Sequence, residues 1–268
     1  MSDLLETLLA DLAAEGERLR GVVADLGPDA DGGWATPTPA PGWTVATQVA
    51  HLAWTDEVAV LAAGSLDPAG KAAWDDVVLG AMADPDGFVD AGAHALAADP
   101  DLLSRWDAAR VGLGAALRAL PAGAKMPWFG PPMSAASMAT ARFMETWAHA
   151  LDVHEALGLP TEHSDRIRHV AHLAVRTRGY SFANRGREVP AAEPRIELVA
   201  PSGETWTWGS EDAEERLTGS AVDLCLLATQ RVHRADTDLV ATGPGVDAWL
   251  DIAQCFAGPA GVGREARG

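Results

Sequence analysis

The pattern of hydrophobic and polar positions has a helical period along most of the chain up to about residue 182. In the first stretch, leucines and valines recur every three or four positions, which is typical of an amphipathic helix with one buried face. Segments rich in Gly and Pro interrupt the pattern and mark loops between helices. The helices predicted in this way cover residues 3–25, 44–63, 101–119, 134–158 and 164–182, with one or two shorter helices between 71 and 98.

The period changes after residues 183–194, which read as a linker because they contain two prolines and several charged residues. Hydrophobic and polar residues alternate over 195–200 and again over 204–209, with Pro-Ser-Gly between them. This arrangement predicts a β-hairpin in which Trp206 and Trp208 share one face. The elements predicted after the hairpin are a helix over 219–233, a short strand over 236–243, a helix over 245–256 and a disordered tail from 258.

Two domains follow from this change of period. The helices predict a bundle over residues 1–183, and the mixture of strands and helices predicts a smaller α+β domain over residues 194–260. The predicted fold class is therefore α+β, with the larger domain entirely helical.

Candidate chemistry lies on the helix predicted over 134–158. Glu145 and His149 are four residues apart, so their side chains project from the same face of the helix. A carboxylate and an imidazole are ligands that suit Zn²⁺ or a similar divalent ion. Taken alone, such a pair is more often an exposed carboxylate beside an ordinary histidine, and a metal site needs a third donor.

The third candidate donor is His51, which lies on the helix predicted over 44–63 beside its hydrophobic stripe. It can therefore point into a helical bundle, although a buried histidine bonded to a backbone carbonyl would give the same pattern. His169 and His172 are a second pair of candidate ligands, three residues apart, but no third donor of recognisable context accompanies them.

Composition limits the kinds of molecule that the protein is expected to bind and where it is expected to be found. The formal net charge is −18, so the surface would repel phosphate backbones, and nucleic acid is not expected as a partner. The sequence contains no long apolar run and no basic region before a short apolar one, so we predict no membrane span and no signal peptide, and hence a cytoplasmic protein. Cys225 and Cys255 are expected to be reduced and outside the chemistry.

Two motifs carry a resemblance to a known family. Pro-Gly-Trp-Thr-Val, followed by His51-Leu, and Glu145-x-x-x-His149-x-x-Asp-Val agree in order and spacing with the mycothiol-dependent maleylpyruvate isomerase branch of the DinB-like helical-bundle superfamily. The match extends over about residues 5–180. The resemblance implies an up-and-down four-helix bundle and a divalent ion, usually zinc, bound by His51, Glu145 and His149. It also implies mycothiol as a cosubstrate.

The second domain has a weaker resemblance. The segment Gly219–Arg231 is similar to the C-terminal helix of the same branch, whose second domain resembles sterol carrier proteins. Related domains also carry the name of a wyosine-formation domain. We take that name as a description of shape, because the acidic charge of this chain argues against chemistry on tRNA.

Three functions remain open from the sequence. A metal-dependent thiol S-transferase or thiol-dependent isomerase acting on a small molecule is the first. A metal-dependent enzyme that uses activated water or Lewis-acid chemistry, and a metal-containing binding protein without turnover, are the others. The departures from the isomerase around the Trp-Phe-Gly-Pro-Pro-Met loop leave the substrate unassigned. The protein is expected to be a monomer or a homodimer.

Two further residues are assigned candidate roles. Asp152 follows His149 by three residues and matches the Asp of the motif, so it is a candidate for orienting a metal ligand, or else a solvent-exposed carboxylate. Arg231 stands at the end of the helix predicted over 219–233. It either interacts with the helix dipole or holds a carboxylate of the substrate through its two-pronged guanidinium group, which makes it the candidate catalytic residue.

Overall fold

The computed structural model describes residues 3–29 and 31–267. The chain divides into two compact units, Met1–Thr161 and Glu162–Gly268. The first unit is helical and the second contains a small sheet with short helices, which confirms the predicted α+β class.

Six helices form the first unit over the residues that the structure describes there. Thr44 and Ser134 cap the second and the sixth of them, as expected from the sequence, because their hydroxyls accept hydrogen bonds from the backbone N–H groups of Thr47 and Ser137. The six helices are α1 (Asp3–Val23), α2 (Val45–Gly64), α3 (Lys71–Ala83), α4 (Phe88–Ala97), α5 (Leu102–Ala119) and α6 (Ala135–Ala156).

Helix α2 is the central element of the first unit. It packs against α5, α4 and α6, while α1 packs mainly against α6 and the shorter α3 and α4 lie next to α2 and to each other. The four long helices α1, α2, α5 and α6 thus form the bundle. Most residues of α2 are buried, including polar ones, and a buried polar group is costly unless it finds a partner inside the protein. The polar residues of α2 therefore need partners on neighbouring helices.

The second unit is built around a four-stranded sheet of order β2-β1-β3-β4. Strands β1 and β2 form the predicted antiparallel hairpin, with Ile196 opposite Trp208, while β3 runs parallel to β1 and antiparallel to β4. Trp206 is buried, and the indole N–H of Trp208 donates to Nδ1 of His172. The strands are β1 (Arg195–Val199), β2 (Thr205–Trp208), β3 (Arg216–Ser220) and β4 (Val240–Thr242).

Strand β3 was not predicted, and it shortens the helix predicted over 219–233. Gly219 has φ +140° and lies against the backbone of Asp238 and Leu239, closer than a side chain there would allow. The hydroxyl of Ser220 then accepts from the N–H groups of Val222 and Asp223 and starts the helix there. The remaining helices of this unit are α7 (Arg168–Arg176), α8 (Arg178–Ala183), α9 (Ala221–Ala228) and α10 (Pro244–Leu250).

The helix predicted over 164–182 is three shorter pieces. A 3₁₀ turn at Asp165–Ile167 precedes α7, and α7 and α8 are separated at Thr177, whose hydroxyl donates to the carbonyl of Leu173. Helix α7 packs against α9. Residues 162–183, which the sequence placed in the helical domain, therefore fall within the second compact unit.

The segment from Gly258, predicted to be disordered, is held by side chains of the second unit as far as the structure describes it. Tyr180 and Asn184 donate to the carbonyl of Gly258, and Arg185 donates to that of Gly261. Gly268 lies outside the described residues. Within those residues, no helix combines the length and apolar character needed to cross a bilayer.

Candidate metal centre

Polar side chains on facing sides of α2 and α6 form a buried polar seam. We define this seam as Gln48, His51 and Asp56 of α2 with Arg142, Glu145 and His149 of α6. Gln48, Asp56 and Arg142 are at most 3% exposed, and the two histidines are also buried. The spacing of three, four or five residues along each helix brings these side chains towards one side of it.

His51, Glu145 and His149 converge within this seam. The Nε2 atoms of His149 and His51 lie 3.1 and 3.6 Å from Oε2 of Glu145, and the centroids of the two imidazoles are 4.5 Å apart. One ligand atom from each residue lies within 4.8 Å of the others. The sequence prediction that these three side chains share one place thus corresponds to their geometry.

The distances fit a shared divalent ion. Two ligand atoms bound tetrahedrally to one zinc ion at about 2.0–2.1 Å are separated by roughly 3.3 Å, and the two observed nitrogen–oxygen separations of 3.1 and 3.6 Å bracket that value. Two imidazoles and one carboxylate are also a donor set that zinc uses in catalytic sites, where a fourth position stays open.

Electrostatics at the site favour an ionised carboxylate. Burial raises the pKa of Glu145, but hydrogen bonds from His149 and His51, together with their charge, outweigh burial and hold its pKa well below the usual range. Glu145 is therefore negatively charged at neutral pH and suited to a cation.

His51 has a ring nitrogen that nothing satisfies. Its Nδ1 atom is buried and has no hydrogen-bond partner among the described residues. A buried polar atom without a partner is rare and costs free energy. The ring nitrogen beside Glu145 is Nε2, so Nδ1 calls for a partner other than the shared ion.

Gln48 and Thr38 continue the hydrogen bonds of the site from His149 to the loop before α2. Nδ1 of His149 contacts Oε1 of Gln48 at hydrogen-bond distance. The amide nitrogen of Gln48 donates to the hydroxyl of Thr38 over 2.8 Å, and that hydroxyl donates to the carbonyl oxygen of Trp43 over 3.2 Å. A continuous chain of hydrogen bonds thus connects an imidazole on α6 to the loop that precedes α2.

Trp43 covers the two histidines from the same loop. Its indole stacks on His149 at 5.8 Å with an interplanar angle of 11°, and it lies 5.4 Å from the ring of His51. The ring of the exposed His94 packs edge-on against the same indole, with the ring centroids 6.3 Å apart. The half-buried indole of Trp43 therefore shields the imidazoles from water on one side.

Asp152 and Arg231, the other predicted site residues, lie in different units. Asp152 is buried on α6 beyond His149, so the solvent-exposed alternative for this carboxylate does not hold. Arg231 follows α9 in the second unit, where its Nη1 atom donates to the carbonyl oxygen of Thr229. Its predicted role towards a substrate stays a prediction.

The alternative pair of metal ligands has other partners. Nδ1 of His172 accepts the hydrogen bond from Trp208, and burial together with the charge of Arg176 lowers the pKa of His172. Across residues 3–29 and 31–267, no third metal-binding side chain joins His169 and His172.

Sequence reasoning missed three contributors to the site, namely Gln48, Trp43 as a cover, and the ion pair of Asp56 with Arg142. A signal existed for Gln48, because it stands one turn before His51 in a helix that is otherwise mostly apolar. A polar side chain at such a position must be satisfied inside the bundle. Its partner could not be named, because that partner lies on a distant helix.

Comparisons with known proteins agree with the division into two parts. The family model described as the mycothiol maleylpyruvate isomerase N-terminal domain matches residues 12–154, and the model described as wyosine base formation matches residues 190–242. Two proteins from strains of Mycobacterium tuberculosis, both described as uncharacterized, are 51% identical over 258 residues, which cover 96% of this chain and 97% of each relative.

Solved structures show the same fold. The crystal structure of the mycothiol-dependent maleylpyruvate isomerase matches with a TM-score of 0.56 at 16% sequence identity, over 91% of this chain and 98% of that chain. The structure of a histidine-to-alanine mutant of that isomerase matches with the same values.

Proposed function

Because the chain belongs to the mycothiol maleylpyruvate isomerase N-terminal domain family, we propose that it is a divalent-metal-dependent enzyme. Its reaction is the activation of a small thiol, mycothiol, for S-transfer to a small electrophilic substrate or for isomerisation of that substrate. The observation that carries the proposal is the convergence of His51, Glu145 and His149 within the buried polar seam.

These three side chains would hold the ion, with zinc the best fit to two imidazoles and one carboxylate. A divalent ion held there would supply Lewis-acid chemistry that favours the thiolate form of a small thiol near neutral pH.

The other residues of the site bind, orient and shield. Gln48 holds the ring of His149, and Trp43 covers both imidazoles and keeps water from that side. Exclusion of water strengthens each electrostatic interaction inside the site. Asp152, buried on the same helix as two of the ligands, is proposed to support the orientation of the ligand set.

Arg231 is proposed to bind the substrate. The guanidinium group of arginine matches a carboxylate with two parallel hydrogen bonds, and an anionic electrophile such as an unsaturated diacid would present one. Arg231 is half-buried in the second unit, where Nη1 donates to the carbonyl oxygen of Thr229.

The proposal is tested by thiol-dependent consumption of electrophiles. Purified protein loaded with Zn²⁺ is incubated with mycothiol and a panel of unsaturated diacids and alkylating electrophiles, and loss of free thiol and of electrophile is followed. We expect consumption or isomerisation that requires both the metal and the thiol, and that falls to background in His51→Ala. The matched control is His154→Ala, since His154 lies on α6 but bonds the carbonyl of Pro160 outside the site.

The two alternative functions, a metal-dependent enzyme that uses no thiol and a metal-containing binding protein, predict different results in the same assay. Turnover that needs the metal but proceeds without any thiol would replace the proposal by water or Lewis-acid chemistry. Tight binding of metal with no turnover of any compound in the panel would favour a binding protein.

A further inference from the structure

The hydrogen bonds that begin at Trp43 determine which nitrogen of His149 carries a proton. The carbonyl oxygen of Trp43 can only accept, so the hydroxyl of Thr38 must donate to it. The oxygen of that hydroxyl is then the acceptor for Gln48, which must present its amide nitrogen to Thr38. Its amide oxygen therefore faces His149.

The same logic continues to the imidazole. An amide oxygen can only accept, so Nδ1 of His149 must carry the hydrogen that it donates. Nε2, which lies 3.1 Å from Oε2 of Glu145, is then the nitrogen that would bind an ion shared with Glu145, in place of the hydrogen bond between the two side chains. Gln48 is fully buried, so water does not compete for its amide.

We propose that Gln48, oriented by Thr38, is a positioning residue that fixes the tautomer and the ring orientation of His149 and thereby raises the affinity of the site for a divalent ion. This inference rests on the proposed metal site. It identifies Gln48 on α2 and Thr38 in the preceding loop as residues that set the metal affinity of that site. Partners of this kind orient metal-binding histidines, and their loss typically costs about 10–100-fold in metal affinity.

Trp43 acts on His149 both through this chain of hydrogen bonds and by direct contact. The carbonyl of Trp43 accepts from both the backbone N–H and the hydroxyl of Thr38, over 2.8 and 3.2 Å. The indole of the same residue stacks on His149. The loop before α2 therefore restrains the imidazole of His149 in two ways. The amide of Gln48, oriented from this loop, bonds the edge of the ring, and the indole of Trp43 covers its face.

Three variants and one control test the inference. Gln48→Met removes the acceptor at nearly constant volume, Thr38→Val removes only the hydroxyl, and Gln48→Glu keeps an oxygen acceptor for Nδ1. The control is Thr140→Val, because Thr140 is also half-buried and its hydroxyl bonds only the carbonyl of Ala136 within α6.

The first measurement is made without metal. In protein labelled with ¹⁵N at histidine, at a pH where free histidine is neutral, we expect the Nδ1–H of His149 to be present, strongly hydrogen-bonded and slow to exchange. It should be lost or exchange rapidly in Gln48→Met. A wild-type His149 that carries its proton on Nε2 alone would overturn the inference, whether or not the protein binds metal.

The second measurement is the affinity for Zn²⁺ in competition with a chelator. We expect affinity about 10–100-fold weaker in Gln48→Met, a smaller loss in Thr38→Val, a smaller loss in Gln48→Glu than in Gln48→Met because the acceptor for Nδ1 remains, and wild-type affinity in Thr140→Val. Wild-type affinity in both Gln48→Met and Thr38→Val would overturn the inference. Absence of Zn²⁺ binding by the wild type would instead refute the proposed metal site, while the tautomer measurement still decides the role of Gln48. If Gln48→Met fails to fold, Thr38→Val and Gln48→Glu make the same comparison.

Discussion

Arg142 of α6 donates from Nε to Oδ1 of Asp56 on α2 over 2.8 Å, and both side chains are almost completely buried. The pair lies in the same two helices as the candidate metal ligands, one turn away from Glu145. Burial raises the pKa of Asp56, and the charge of Arg142 and its hydrogen bond offset part of that rise. Each partner therefore makes burial of the other tolerable.

Removal of one partner should be far more harmful than removal of both. Arg142→Met leaves the carboxylate of Asp56 buried without its partner, and we expect the free energy of unfolding to fall by about 3–5 kcal/mol. The double variant Arg142→Met/Asp56→Leu should recover most of the loss, because no charge is then buried. Urea unfolding of Arg142→Met, of Asp56→Leu and of the double variant measures this. Equal losses in Arg142→Met and in the double variant would show that packing, and not the ion pair, is responsible.

One divalent ion per chain is expected to bind through the candidate ligands. His51→Ala, Glu145→Gln and His149→Ala should each lose most of the bound metal, since two ligands hold an ion much more weakly than three. Elemental analysis of dialysed protein gives the stoichiometry, with His154→Ala as the control on the same helix. Full occupancy in His51→Ala would remove His51 from the ligand set.

Asp107 should make stability depend on pH. Burial alone would raise its pKa, but Arg110 and Arg20 donate to its carboxylate and hold the pKa below its ordinary value. A carboxyl whose pKa is lower in the folded state stabilises the fold above its unfolded pKa, and this contribution disappears as the pH falls through the folded pKa. The melting temperature of the wild type should therefore exceed that of Asp107→Asn near pH 7, and the difference should shrink on acidification. A constant difference down to the acid limit would contradict this.

Cys225 and Cys255 are expected to be inert. Both are buried thiols rather than halves of a disulfide, and burial raises the pKa of Cys225 well above its usual value, so little thiolate forms there. A chromogenic disulfide reagent should label neither cysteine in the native protein and both after denaturation. Prior treatment with the reagent should leave turnover unchanged. Rapid labelling of the native protein, with loss of activity, would show that a cysteine takes part in the reaction.

Arg231→Ala tests the predicted binding of an anionic substrate. We expect a raised KM for a carboxylate substrate with an unchanged melting temperature, because the guanidinium group that would bind the carboxylate is removed. Arg187→Ala, an exposed arginine of the same unit, is the control. Unchanged kinetics in Arg231→Ala would exclude Arg231 from substrate binding.

The sequence predicted the parts of the fold and of the site that depend on short-range spacing. The pair of Glu145 and His149 was readable because both belong to one helix, and His51 was assigned through the motif around it. Strand β3 was hidden because it contains Arg216, Thr218 and Gly219, with no clear alternation. Its position is set by pairing with β1, which no local pattern encodes.

The supporting residues of the site were missed for a related reason. A glutamine in a helix is usually solvent-exposed, and nothing near Gln48 in the sequence names its partner. That partner, His149, lies on α6, and the third member of the network, Thr38, lies in the loop before α2. Only the packing of α2 against α6 brings the three together, so their relation is a property of tertiary structure.

The candidate ligands belong to two helices that are separated along the chain by α3, α4 and α5. An unfolded chain therefore keeps His51 far from Glu145 and His149, and an ion selective for the assembled site acts by mass action on folding itself. At a free concentration of 100 times its dissociation constant, such an ion adds about 2.7 kcal/mol to the free energy of unfolding. That is a sizeable fraction of the roughly 5–15 kcal/mol typical of proteins. Loss of the ion would then raise the ratio of unfolded to folded chain about 100-fold, and starvation for the ion would increase exposure to proteolysis as well as remove the proposed activity.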